Sequence, residues 1–165
     1  MSVRTRLKGQ LATIRGITEK LLSVFTTPEQ WTHQVHDQAN HALWFVGHIG
    51  TVDDFLIQRL APEKTAVADE YRRMFGMGSR PTPNPADYPP TEEVLAFMRQ
   101  QRETLLEILA GLSEDDMDRP TPDGTPEFMP DVASLFEAAV WHEALHLGQV
   151  TVARRHLGNP PMVDG

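Results

Sequence analysis

Leu7, Leu11, Ile14, Ile17, Leu21 and Phe25 recur every three or four residues, the period of one buried helix stripe, until Thr26-Thr27-Pro28 breaks it. A second stripe, Phe45, Ile49, Val52, Leu56 and Leu60, predicts a helix from about Asn40 to Leu60, with Pro62 past its end. Between Pro62 and Pro90 the pattern dissolves into FGMGSRPTPNPADYPP, a long loop with little regular structure. Thr91 then reads as an N-cap, with Glu92 and Glu93 placed well for the helix dipole. Val94, Met98, Leu105, Ile108 and Leu112 carry a third helix to Gly111–Ser113.

A second loop, SEDDMDRPTPDGTPEFMPD, leads to Ser134-Leu-Phe-Glu137, a capping-box pattern, with Asp131 as the alternative start. The fourth helix runs to Leu157, where Gly158, Pro160 and Pro161 stop it. Its inward face is expected to carry Leu135, Ala139, His142, His146, Val150, Ala153 and Leu157. No strand-like alternation or internal repeat competes. The expected fold is all-α: one four-helix bundle, a single domain over residues 1–165, with long loops after helices two and three that permit non-adjacent packing.

Composition narrows the function. At 165 residues and 40% hydrophobic content the chain suffices for one full core. With 15 basic against 23 acidic residues its formal charge is -8, which repels phosphate backbones, so nucleic acid is not an expected partner. The basic N-terminus lacks an apolar segment behind it, and no stretch approaches the roughly 20 apolar residues that span a bilayer. A soluble, cytoplasmic protein is expected. The absence of cysteine removes thiolate ligands and a cysteine nucleophile, so any metal must be held by His, Asp or Glu, and any thiol must come with the substrate.

The candidate chemistry lies in the stripes themselves. His142 and His146, spaced i, i+4, project from one face of helix four, and His48 interrupts the stripe of helix two. Three separately buried imidazoles would each carry a desolvation penalty of about 1–3 kcal/mol, whereas one cation satisfies all three acceptors. Three imidazoles form the facial cap that Zn²⁺ or Ni²⁺ takes, with further positions open. His41, seven residues before His48, is the alternative ligand or a group that supports a ligand from behind. The string HEALH also matches the zinc-protease pattern HExxH, but only His156, at the wrong spacing, and Asp164 follow His146, so no third protease ligand is available downstream. A di-iron bundle would need a second Glu-x-x-His, which the chain lacks.

Glu143 flanks the pair as a base for metal-bound water or thiol, as an acceptor holding a histidine tautomer, or as a solvated shoulder residue. Gln149, three residues after His146, is placed to hydrogen-bond a ligand. Trp44 and Trp141 read as core or pocket wall, and Phe75, Met77, Phe128 and Met129 as apolar contacts from the two loops over the metal.

NHALWFVGHI followed about a hundred residues later by HEALHLGQ, with FGMGS between and ARRHLGNP at the close, resembles the DinB-like metalloprotein superfamily. The resemblance implies a four-helix bundle holding a divalent metal through His48, His142 and His146. It further implies activation of a low-molecular-weight thiol, such as mycothiol or bacillithiol, for S-transfer or isomerisation, and a homodimer. The physical logic holds, because a cation presents a coordinated thiol as thiolate near neutral pH. The alternative is a metal-binding bundle without turnover, serving as sensor, store or interaction partner.

Overall fold

The computed structural model describes residues 1–65 and 67–162. Six α-helices follow one another: α1 (Val3–Leu22), α2 (Pro28–Trp31), α3 (Ala42–Leu60), α4 (Asp69–Phe75), α5 (Thr91–Gly111) and α6 (Val132–His156). Among the described residues there is no strand, only an isolated antiparallel bridge between Pro120 and Asp131.

The four long helices coincide with the four apolar stripes, and the differences lie at their ends and in two connections, which carry the short helices α2 and α4. Helix α5 begins at Thr91, but Pro90 occupies the N-cap without a side-chain hydrogen bond, so Thr91 is not the cap. Helix α6 is capped by Asp131, whose carboxylate accepts from the Ser134 N–H while the Ser134 hydroxyl accepts from the Asp131 N–H. The box therefore sits three residues before the Ser134–Glu137 pattern. The expected loop over residues 62–90 contains α4. Its first turn carries Asp69 and Glu70 and its last Arg72 and Arg73, charges matched to the helix dipole.

Two apolar clusters reveal the direction of each helix. One joins Ile14, Leu21 and Leu22 of α1 to Phe45 and Ile49 of α3, Val94 and Met98 of α5, and Leu147 and Val150 of α6. The other joins Leu7 and Leu11 to Leu56 and Ile57, Leu105 and Leu109, and Leu135 and Phe136. Helices α1 and α6 thus run one way, α3 and α5 the other. Helix α3 packs on α5 and α6, and α1 on α6 and α5, which places α1 opposite α3 and α5 opposite α6. Parallel neighbours cannot be joined by a tight turn. The chain between α3 and α5 must return along the bundle, about 28 Å for a helix of 19 residues, and α4 is built into that return.

Between the two clusters lies a layer of charge. Arg102, 3% exposed, grips Asp53 through Nε (2.8 Å) and Nη2 (3.0 Å) and donates Nη2 to Glu143 Oε2 (2.9 Å). Arg15 Nε donates to Glu143 Oε1 (3.0 Å), its Nη2 lies 3.6 Å from Asp53, and its Nη1 donates to the Met98 carbonyl. The Thr18 hydroxyl completes Glu143 at 2.6 Å. The stripe of α1 is corrected accordingly: Thr18 is fully buried, and Ile17 is 42% exposed. Two carboxylates and two guanidiniums, one from each long helix, are thereby satisfied inside the bundle.

Burial opposes the charge of Glu143, but the Arg15 and Arg102 guanidiniums outweigh it and hold its carboxyl below the ordinary range. A carboxylate depressed in the fold contributes stability that is fully present above its ordinary value of 4.5 and is lost as pH falls through the folded value. Replacing Glu143 by Ala leaves buried Arg102 and half-buried Arg15 to share Asp53 alone. It is expected to remove about 3–5 kcal/mol from a total on the order of 5–15, read by urea unfolding. A loss below about 1 kcal/mol would show that the layer does not hold the bundle.

Candidate metal centre

Helix α3 is started by a histidine. His41 caps it, its Nδ1 accepting from the Trp44 N–H (3.0 Å), which leaves the proton on Nε2 for donation to the Thr82 carbonyl (3.0 Å) beside the Tyr88 hydroxyl (3.2 Å). Burial pushes its pKa down to about 4, against the carbonyls of Thr82 and Trp31. Both ring nitrogens are committed to structure, so His41 is not the third histidine of the cluster. His33 and His156 meet each other at the surface, Nε2 to Nδ1 at 2.8 Å.

Two turns into α3, His48 is buried and its Nδ1 lies 2.7 Å from the Phe75 carbonyl. A carbonyl only accepts, so Nδ1 carries the proton and Nε2 keeps its lone pair. Phe75 is the last residue of α4, where helix carbonyls lack partners, and the His48 ring supplies one. The approach depends on Gly47, because a Cβ there would overlap the Phe75 ring. Trp44 stacks on the His48 ring at 4.4 Å and 13°, and its indole N–H donates to the Ser79 hydroxyl, itself bound to the Gly76 carbonyl. FGMGS therefore orients His48 twice, through Phe75 and through Ser79. Its glycines are legible as punctuation, but a backbone carbonyl acting on a distant ring has no sequence signal.

From the facing helix, His142 brings its Nε2 to 3.0 Å from His48 Nε2. His146 has Nδ1 3.0 Å from the Gln149 side-chain oxygen, which also accepts from Asn40 Nδ2 (2.9 Å), so Nε2 is the nitrogen His146 has left to offer. One ring nitrogen from each of His48, His142 and His146 lies within 4.8 Å of the others. Two nitrogens bound at about 2.0–2.1 Å to a tetrahedral cation stand about 3.3 Å apart, so the closest pair is already near a coordinating separation. Burial keeps the rings neutral: it pushes His48 and His142 down to about 4, assisted by their neighbouring imidazoles, and lowers His146 against the Gln149 hydrogen bond. Neutral imidazoles, with Nδ1 committed in His48 and His146 and the Nε2 atoms of His48 and His142 at 3.0 Å, suit one divalent cation.

Glu143 stands elsewhere. It points into the charge layer, where Arg15, Arg102 and Thr18 occupy its oxygens. A carboxylate already accepting from three side chains is a poor base, and none of its hydrogen bonds goes to the three histidines. Of the three expected roles, the solvated one is corrected: Glu143 is fully buried and its carboxylate serves the charge layer. Gln149 does reach a candidate ligand, His146. The α6 face also shifts: Glu143 is fully buried and the two histidines half-buried, open to one side.

That side is a cavity of about 450 Å³ against His48 and His142, walled by Val52, Phe55, Met77, Phe128, Met129 and Trp141. Both loops contribute, as expected, except that Phe75 is 0% exposed and acts through its carbonyl. Asp164 lies outside the described residues.

A family model described as the DinB superfamily matches residues 10–150. No curated protein and no solved structure matches the chain.

In metal-free protein, nitrogen-15 NMR of the imidazoles is expected to show His48 neutral with Nδ1 protonated and titrating far below 6.5, towards about pH 4. Because the folded value is depressed, the unfolded chain binds more protons, and stability falls as pH drops from about 6.5 through 4. An ordinary titration near 6.5 would contradict the buried, carbonyl-held ring.

Proposed function

The chain belongs to the DinB superfamily, and from that premise we propose that His48, His142 and His146 hold one divalent cation, Zn²⁺ or Ni²⁺, for an S-transferase or isomerase reaction of a low-molecular-weight thiol, or for activation of water. The single observation that carries this reading is the convergence of three neutral imidazole nitrogens beside a walled cavity. Bound there, the cation supplies Lewis acidity that lowers the pKa of a coordinated thiol or water.

The chain's own residues do the rest. Phe75 and Gln149 fix the tautomers of His48 and His146, so that lone pairs, not protons, face inward. Trp44 backs the His48 ring, with His146 at its edge, and limits ring rotation. Met77, Phe128 and Met129 line the cavity and offer contact area to an apolar substituent. The absence of cysteine leaves no protein thiol to compete with the substrate's sulfur. A cytoplasmic homodimer is part of the proposal, supported by Leu145 and Val152, which remain 59% and 55% exposed on α6. No described helix is long and apolar enough to cross a membrane.

Metal content by elemental analysis tests the ligand set. Near-stoichiometric Zn²⁺ or Ni²⁺ in wild type should vanish in His142→Ala and persist in His41→Asn, whose side chain still caps α3. Gln149→Ala should bind metal about 10–100-fold more weakly, since it releases the His146 ring. Metal retained in His142→Ala would remove that residue from the set. Loss of thiol turnover in His142→Ala, with turnover in wild type, is the matching result for activity; full turnover in the variant would sink the mechanism.

A further inference from the structure

The cavity that opens on His48 and His142 has a second end. Along α3, the face that carries His48 continues through Thr51, Val52 and Phe55 to Gln58, and at about 1.5 Å per residue Phe55 lies about 10 Å beyond His48. Between the two ends the wall is apolar. At the far end it carries Asp54 and Arg72, the only two charged residues among those lining it.

These two charges are not equally available. Asp54 is 1% exposed, and its oxygens accept from Gln58, Thr65 and Arg72, so its lone pairs are turned inward to the protein. Arg72 has five N–H donors and is part-exposed. It spends one on Asp54 (3.2 Å) and one, at 3.4 Å, on the solvated Asp69. A second cation stands nearby. Arg59 lies over the ring of the wall residue Phe55 at 4.8 Å, and its buried Nε has no hydrogen-bond partner. Among the described residues no carboxylate pairs with Arg59. The end of the cavity remote from the histidines thus presents spare guanidinium donors, Arg72 and Arg59 balancing Asp54 and Asp69, in a protein whose formal charge is -8.

We infer that the cavity takes an amphipathic organic acid, its apolar chain of about 10 Å lying along Val52, Phe55, Met77 and Phe128 and its carboxylate on Arg72. Arg59 adds positive potential at that end. The apolar wall aligns the chain, and charge-assisted hydrogen bonds from the spare Arg72 donors fix the acid's orientation. The inference rests on the proposed function only for what the opposite end of the acid meets: its far carbon is delivered to His48 and His142. The carboxylate site itself needs no metal.

Calorimetric titration of metal-free protein with octanoate, and with the neutral isostere octanamide, tests this directly. Octanoate should bind at least about tenfold more tightly than octanamide, the difference expected of a charge-assisted pair. Arg72→Gln keeps a donor for Asp54 and should bring octanoate down to the affinity of octanamide, erasing the preference. The wild-type comparison of acid against amide stands on its own if that variant folds poorly. Equal binding of the two probes, no binding of either, or a preference that survives Arg72→Gln would overturn the inference. So would octanoate binding that requires Zn²⁺ and is lost in His142→Ala, since that places the carboxylate at the histidines. Elemental analysis of the same preparations keeps the two readings separate: failure to load metal, with acid selectivity intact, would remove the metal centre and leave the acid site standing.

Discussion

The layer of Arg15, Asp53, Arg102 and Glu143 is the constraint on which the bundle depends. Each long helix contributes one charge, and the set is satisfied only when all four helices stand in one register. Apolar stripes alone tolerate sliding, because leucine against leucine is nearly indifferent to a shift of one turn. Buried ions are not, since the desolvation of any stranded member is worth several kcal/mol. Asp53 lies five residues after His48 and Glu143 follows His142 directly, so the interaction that fixes α3 against α6 also fixes the distance between the histidines they carry.

The direction of the helices then determines what surrounds those histidines. Because α3 and α5 run parallel, their connection has to travel the length of the bundle, and it passes over the cluster as α4 and FGMGS. The carbonyl at the end of α4, left without a partner in its own helix, and the hydroxyl of Ser79 are by-products of that route, and both act on the site: one sets the tautomer of His48, the other holds the tryptophan stacked on it. The loop before α6 closes the other wall through Phe128 and Met129. A rigid ionic waist with a cavity bounded by two connections suits a centre whose ligands are fixed and whose substrate walls are free to vary, as loops on a scaffold commonly do.

Much of this was legible in the sequence. Four apolar stripes predict four helices, and the i, i+4 spacing of His142 and His146 with a histidine inside the facing stripe identifies the cluster that the fold assembles. What could not be read involves partners far apart in the chain. Glu143 sits beside two candidate ligands, so proximity in sequence suggested chemistry. Its actual partners, Arg15 and Arg102, are 128 and 41 residues away. Thr18 reads as polar against the apolar Ile17 until Glu143 is known to need a donor. His41 shares a sequence neighbourhood with His48, yet a histidine accepting at an N-cap is set by backbone geometry, which no spacing rule registers. The short helix α4 is hidden because its ends, not its hydrophobic period, define it.

In the proposed centre one cation joins α3 to α6 through three imidazoles and keeps open positions. X-ray absorption on zinc-loaded protein measures this most directly. The account predicts three histidine nitrogens at about 2.0–2.1 Å and a remaining light-atom ligand that is replaced by sulfur when a small thiol is added. A closed shell of four protein ligands, unchanged by thiol, or a shell with fewer than three imidazoles, would contradict it.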